Sequence, residues 1–186
     1  MSSDLIRWGG LAGVLAGVMY VLTDILSLLA PQQRVFNSFS DYLIEVIFAV
    51  AVAGTLGAIA GLHALQSGRY GRLGAAGSLL AFIGYALFFV RTAVTILVGG
   101  QAPLYAVRIS IVGALAVLIG SVLLGAMTLR ARVLPWWCGV LLIVGFPLSV
   151  AFSAAPGIVL GIVWGLIGYA LLSLKGTVEE QPSRVS

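Results

Sequence analysis

The sequence predicts an all-α, polytopic integral membrane protein: a bundle of six transmembrane helices with both termini cytoplasmic. Three observations lead there. Hydrophobic residues make up 61% of the 186 and charged residues 9%, with a mean hydropathy of +1.14. A soluble domain is about half apolar and a quarter charged, so this chain has too few charges to cover a water-facing surface. The apolar residues fall into long runs of the length a helix needs to cross a bilayer, roughly 20 residues. Finally, the basic residues cluster on alternate connections, as the positive-inside rule requires.

The first span covers 7–30 and stops at Pro31. Its apolar run is long for a signal peptide. Ala30 would place Leu28 at the −3 position, a poor cleavage site, so a retained helix is expected. The second span covers 41–66, with Ser40 as its N-cap. The third covers 72–100, and Gly99, Gly100 and Pro103 form its exit turn. The fourth covers 105–130. Between Arg132 and Lys175 lie 42 uncharged residues, too many for one span. The stretch Ser153-Ala154-Ala155-Pro156-Gly157 divides them into a fifth span, 134–153, and a sixth, 156–174. Residues 1–176 thus form one transmembrane domain, and 177–186 a polar, disordered tail.

This topology puts Arg7, Arg69, Arg72, Arg130, Arg132, Lys175 and Arg184 on the cytoplasmic side and Arg34 and Arg108 opposite. A multi-pass protein of the cell inner membrane is the expectation. The net charge of +4 is spread too thinly for nucleic acid. One cysteine, Cys138, excludes an internal disulfide, and one histidine, His63, excludes a His-rich metal site. No cofactor motif occurs. Trp136, Trp137 and Tyr70 are placed at the inner interface as an aromatic belt. Pro147 should kink the fifth helix and free the Ile143 carbonyl.

Lipid supplies no hydrophobic drive between helices, so small residues must let backbones pack closely. Glycine occurs 24 times. Gly9, Gly13 and Gly17 are spaced by four on the first helix, Ala53, Gly57 and Gly61 on the second, and Gly157, Gly161 and Gly165 on the sixth. The sixth-helix stripe is a candidate homodimer interface.

Intramembrane charges are the usual pointers to function. Asp24, Glu45, Arg91 and Arg108 lie at depths of roughly 9, 6, 12 and 5 Å from one outer surface, at 1.5 Å per residue. Asp24 shares a helix face with Gly17, and Arg91 with Gly84. Both deep charges should therefore point inward, and an Asp24–Arg91 ion pair is expected. Such a pair serves either to fix which helices meet or to build a ligand site.

The stretch Gly61-Leu62-His63-Ala64-Leu65-Gln66-Ser67-Gly68-Arg69-Tyr70-Gly71-Arg72-Leu73-Gly74 is a helix, a basic turn and a helix start. So is Arg130-Ala131-Arg132-Val133-Leu134-Pro135-Trp136-Trp137-Cys138-Gly139-Val140-Leu141-Leu142. Both resemble junctions in small, uncharacterised multi-spanning membrane proteins of bacteria. The resemblance implies an integral helical bundle, covers about half the chain, and assigns no activity and no residue roles. The two junctions also resemble one another, as a weak internal repeat would.

Three functions compete. The first is binding or transport of a small amphipathic or lipid-like ligand in an outward-facing cavity lined by Asp24, Glu45, Arg91, Arg108, Tyr20 and Tyr85. The second is a non-catalytic structural or interaction subunit of a membrane complex, packed through its glycine stripes. The third is a lipid-modifying enzyme using Asp24 or Glu45 as acid or base. No motif organises catalytic groups, so the enzyme is the least supported. Besides the lipid bilayer, the partners expected are a lipid-like molecule and a second copy of the chain.

Overall fold

The computed structural model describes residues 3–30, 36, 38–66, 68–69, 71–100 and 104–179, with side chains between Asp4 and Ser173. Six helices follow one another: α1 (Ser3–Leu29), α2 (Phe39–Gln66), α3 (Gly71–Leu97), α4 (Leu104–Ala131), α5 (Trp136–Ala151) and α6 (Pro156–Glu179). No strand occurs among the described residues. All but α5 are long and apolar enough to cross a membrane, and the chain is a multi-pass membrane protein.

The element boundaries have local causes. α2 begins at Phe39, capped by Ser38 and not by Ser40. The Asp41 carboxylate accepts the Ser38 backbone N–H at 3.1 Å and its hydroxyl at 2.9 Å. This is the reach-back half of a capping box. α3 ends at Leu97, three residues before the expected exit, in a Schellman motif. Gly99 and Gly100 have φ of +69° and +100°, and their N–H groups bond the carbonyls of Ile96 and Thr95. Phe36 fits against Gly100, where a Cβ would lie 2.5 Å from its ring. The Phe36 N–H also donates to Gly99 at 3.0 Å, tying the α1–α2 and α3–α4 connections together.

α5 is the exception in length. It has 16 residues, about 24 Å at 1.5 Å per residue, against the expected span of 134–153. Pro147 sits inside it and cannot donate to the Ile143 carbonyl. α6 continues through Glu179, so 177–179 belong to the helix and not to a disordered tail; 180–186 lie outside the described residues. Of the expected aromatic belt, Trp136 is exposed and Trp137 half-buried, while Tyr70 lies outside the described residues.

Packing divides the helices into two groups of three. α1 lies between α2 and α6, and α4 lies between α3 and α5; the groups meet along α2–α3 and α5–α6. Neighbours run antiparallel. One end of the bundle therefore carries the α1–α2, α3–α4 and α5–α6 connections, and the other carries α2–α3 and α4–α5.

Glycine makes the close seams. A Cβ on Gly9 would lie 2.5 Å from the Gly61 Cα, and one on Gly54 would lie 2.7 Å from the Ala12 carbonyl oxygen. On the other side of α1, a Cβ on Gly17 would lie 2.6 Å from the Gly161 oxygen. The α1 stripe thus serves two partners, because each step of four residues advances about 40° round a 3.6-residue helix. Gly9 meets α2; Gly13 and Gly17 meet α6. The same contacts engage most of the α6 stripe within the chain. Gly157 and Gly161 are buried against α1 of their own chain, while Gly165 is half-buried beside Gly17.

Several hydroxyls within the helices are satisfied locally, as a lipid environment favours. Thr23 donates to the Met19 carbonyl, Ser27 to Thr23 and Ser110 to Ala106, at 2.8–3.0 Å.

Candidate functional site

The four intramembrane charges do not form the arrangement expected of them. Arg91 pairs with Glu45, at 3.7 Å between Nη1 and Oε1, joining α3 to α2. Asp24 has a different partner. Its Oδ2 accepts the backbone N–H of Ile158 at 2.7 Å, in the first turn of α6. The expected Asp24–Arg91 ion pair is therefore absent, and the reason lies in the glycine face. Asp24 does share the face of Gly17, but that face packs on α6 and not on α3.

The carboxylate completes an unfinished helix end. The first N–H groups of a helix lack internal partners, and the positive end of the helix dipole favours an anion there. α6 begins with Pro156, which has no N–H, and then Gly157. A Cβ on Gly157 would lie 2.7 Å from Asp24 Oδ1, so only glycine lets the carboxylate approach. Asp24 thus acts as an N-cap supplied by another helix.

Glu45 is buried, and its second oxygen, Oε2, has no hydrogen-bond partner. Arg108 is exposed on α4 and makes no ion pair among the described residues. Among the described residues no group of three or more His, Cys, Asp or Glu side chains could hold a metal ion.

Beside this polar layer, where the two three-helix groups meet, lies a cleft of about 380 Å³. Each of the six helices contributes to its wall. Tyr20 and Tyr85, two of the six expected site residues, line it; Asp24, Glu45, Arg91 and Arg108 do not. Phe48, Val52, Phe88, Phe146 and Leu160 make the remaining wall apolar, while Ser149, Ser153 and Pro156 place its mouth at the α5–α6 turn.

The two tyrosines are held by their hydroxyls. Trp164 Nε1 donates to the Tyr85 hydroxyl at 3.2 Å, and the two rings meet edge to face with centroids 5.7 Å apart. The Thr55 hydroxyl lies 3.5 Å from that of Tyr20, whose ring meets Phe48 edge to face at 5.8 Å. All four of these partners have little freedom to turn, because Thr55, Trp164, Tyr20 and Tyr85 are each at least 95% buried. The rings facing the cleft are thus preorganised. Trp164 orients Tyr85.

Sequence reasoning missed Phe48, Phe88, Phe146 and Ser149. A faint signal existed for the last two. They flank Pro147, whose missing N–H removes one backbone bond from the wall, and Ser149 returns its hydroxyl to the Phe146 carbonyl at 2.7 Å. His63 and Cys138 lie outside this site. His63 edges a second groove at the α2–α3 end, and Cys138 is fully buried.

No protein-family model, curated protein or solved structure matches the chain.

Proposed function

We propose that the chain is an inner-membrane protein with six spans and both termini cytoplasmic, which binds or transports a small lipid-like molecule in the cleft between its two halves. The observation that carries this reading is the cleft itself. It is apolar, walled by fixed aromatic rings, and within the range of about 300–1,000 Å³ typical of small-molecule sites. None of the four charges forms part of its wall. Its occupant is therefore recognised by apolar contact and shape, with the Ser149 and Ser153 hydroxyls at the mouth for a polar head.

The short α5 supports access from the bilayer. A helix of about 24 Å is shorter than a hydrocarbon core of about 30 Å, which favours a mouth at the α5–α6 turn within reach of acyl chains. Val150, in the wall, is 63% exposed, which opens the cleft sideways at that point. An interaction subunit would need exposed glycine stripes, and most of these glycines are packed within the chain. An enzyme would need a carboxylate facing the cleft. Asp24 is committed to α6 and Glu45 to Arg91.

Titration of the purified protein with a fluorescent fatty-acid analogue tests the reading. Ala114 lines the cleft, and Ala114→Trp should fill it. Binding by wild type, reduced at least tenfold in a folded Ala114→Trp variant and unchanged in Arg108→Ala, is the expected result. Equal binding by wild type and Ala114→Trp would remove the cleft from the function.

A further inference from the structure

We propose that a second groove, between α2 and α3 at the opposite end of the bundle, holds an anionic phospholipid: its phosphate lies on Arg69 and Arg72, and an acyl chain occupies the groove. The groove has a volume of about 290 Å³ and is lined by Leu5 of α1, Ile59 and His63 of α2, and Ala75, Leu79 and Phe82 of α3. It is separate from the cleft in position and in wall residues.

Three features fit a lipid. First, the groove opens to the side. Leu79, in its wall, is 61% exposed, and Phe82 and Leu5 are 39% and 42% exposed, so an acyl chain can enter laterally from the bilayer. Second, polarity changes along the groove in lipid order. Arg72, Ala75, Leu79 and Phe82 follow an i, i+3, i+7, i+10 pattern, which places them on one face of α3. Arg72 therefore stands at the start of a face of α3 that is otherwise apolar along these positions for about 15 Å. His63 sits in the facing wall.

Third, the charge at the start of α3 is available. Arg69 and Arg72 are exposed, and neither has an ion-pair partner among the described residues. The Arg69 N–H bonds the Gln66 carbonyl at 2.8 Å, which holds the Gly68–Arg69 turn against the end of α2. Asp4, exposed at the start of α1, is the acidic residue closest in sequence to the wall, and the two arginines outnumber it. Basic pockets between transmembrane helices bind anionic headgroups by this combination, each basic residue near the surface contributing about fivefold in affinity.

The test is equilibrium binding of fluorescent phosphatidylglycerol and phosphatidylcholine to the full chain in detergent micelles. Phosphatidylglycerol should bind wild type roughly 30-fold more tightly than phosphatidylcholine, two arginines at about fivefold each. Arg69→Ala with Arg72→Ala should abolish that preference. Both are exposed, and the variant should remain folded. Arg69→Lys with Arg72→Lys should keep most of the preference, since lysine also binds phosphate as a point charge. Ala75→Phe should weaken phosphatidylglycerol at least tenfold by filling the groove.

A wild type with no preference for phosphatidylglycerol would overturn the proposal. So would a preference that survives removal of both arginines. Phosphatidylglycerol binding unchanged in a folded Ala75→Phe variant would reduce the site to surface charge, and displacement by inorganic phosphate alone at low millimolar concentration would make it a free-anion site. Either result rejects a lipid in the groove.

Discussion

The seams on either side of α1 and the seam that holds the cleft are built on opposite rules. Along α1 the contacts are backbone on backbone. Gly9 meets Gly61, Gly13 meets Gly168, and Gly17 meets Gly161 and Gly165, so at these points no side chain separates the helices. Where the two halves of the bundle meet, Tyr20, Phe48, Tyr85, Phe88 and Phe146 project between the helices and leave about 380 Å³ unfilled. In lipid, packing contacts must hold helices together without help from water. Small residues maximise those contacts and large rigid rings hold helices apart. The molecule therefore consists of two closely packed groups separated by an aromatic wall, and the space for a ligand lies where glycine is missing.

The largest effect should come from breaking a glycine seam. The methyl group of Gly17→Ala would lie 2.6 Å from the Gly161 oxygen and 2.8 Å from the Gly165 Cα. Those are backbone atoms, which cannot rotate away, so α1 and α6 must separate. Overpacking of this kind costs about 3 kcal/mol. Reversible unfolding in mixed micelles should show that loss, whereas Phe48→Leu at the cleft should cost less, because the cleft has space to relax into. A Gly17→Ala protein as stable as wild type would mean that the α1–α6 approach is not as close as described.

The next prediction concerns Asp24. Asp24→Leu removes the acceptor of the Ile158 N–H and the charge at the start of α6, a loss of about 2 kcal/mol. Asp24→Asn keeps an acceptor and should cost about half as much. A double-mutant cycle separates this role from an ion pair with Arg91. Asp24→Asn and Arg91→Gln should be additive, since the two side chains have different partners. Glu45→Gln and Arg91→Gln should couple, though by only about 0.5 kcal/mol, because the Arg91 side chain is 31% exposed and the contact is 3.7 Å long. Strong coupling between Asp24 and Arg91 would restore the pair that the sequence led one to expect.

That reversal shows what a sequence of this type makes legible. Helix positions were readable to within a few residues, because span length, charge placement and the Gly99–Gly100 pair act locally along the chain. α5 fits that rule too: Pro135 and the Phe152–Ala155 turns trim it by two residues at each end, and neither lowers hydropathy. The inward direction of Asp24 was also readable, from its register with Gly17. Its partner was not. A glycine face states that a helix is packed there, but the neighbour is set by how six helices are arranged round one another. The cleft was hidden for the same reason, since its wall takes one to three residues from each helix and no stretch of sequence contains more than a small part of it.

The smallest expected effect probes the stripe that spacing alone would treat as uniform. Gly157, Gly161 and Gly165 are spaced by four on α6, yet their surroundings differ. A Cβ on Gly157 would meet the Tyr20 oxygen at 2.6 Å, and one on Gly161 would meet the Val21 Cγ2 at 2.6 Å and the Gly17 oxygen at 2.7 Å. A Cβ on Gly165 would find only the Gly17 Cα, at 4.0 Å, which is ordinary contact. The asymmetry follows from direction, because a Cβ on Gly17 points at Gly165 while one on Gly165 points past Gly17. Gly165→Ala should therefore leave stability unchanged or raise it by up to about 1 kcal/mol, as alanine restricts the unfolded chain. Gly161→Ala should destabilise in the same unfolding assay. If the two variants lost stability equally, the four-residue spacing would itself be the packing determinant, and the distinction drawn from Cβ direction would fall.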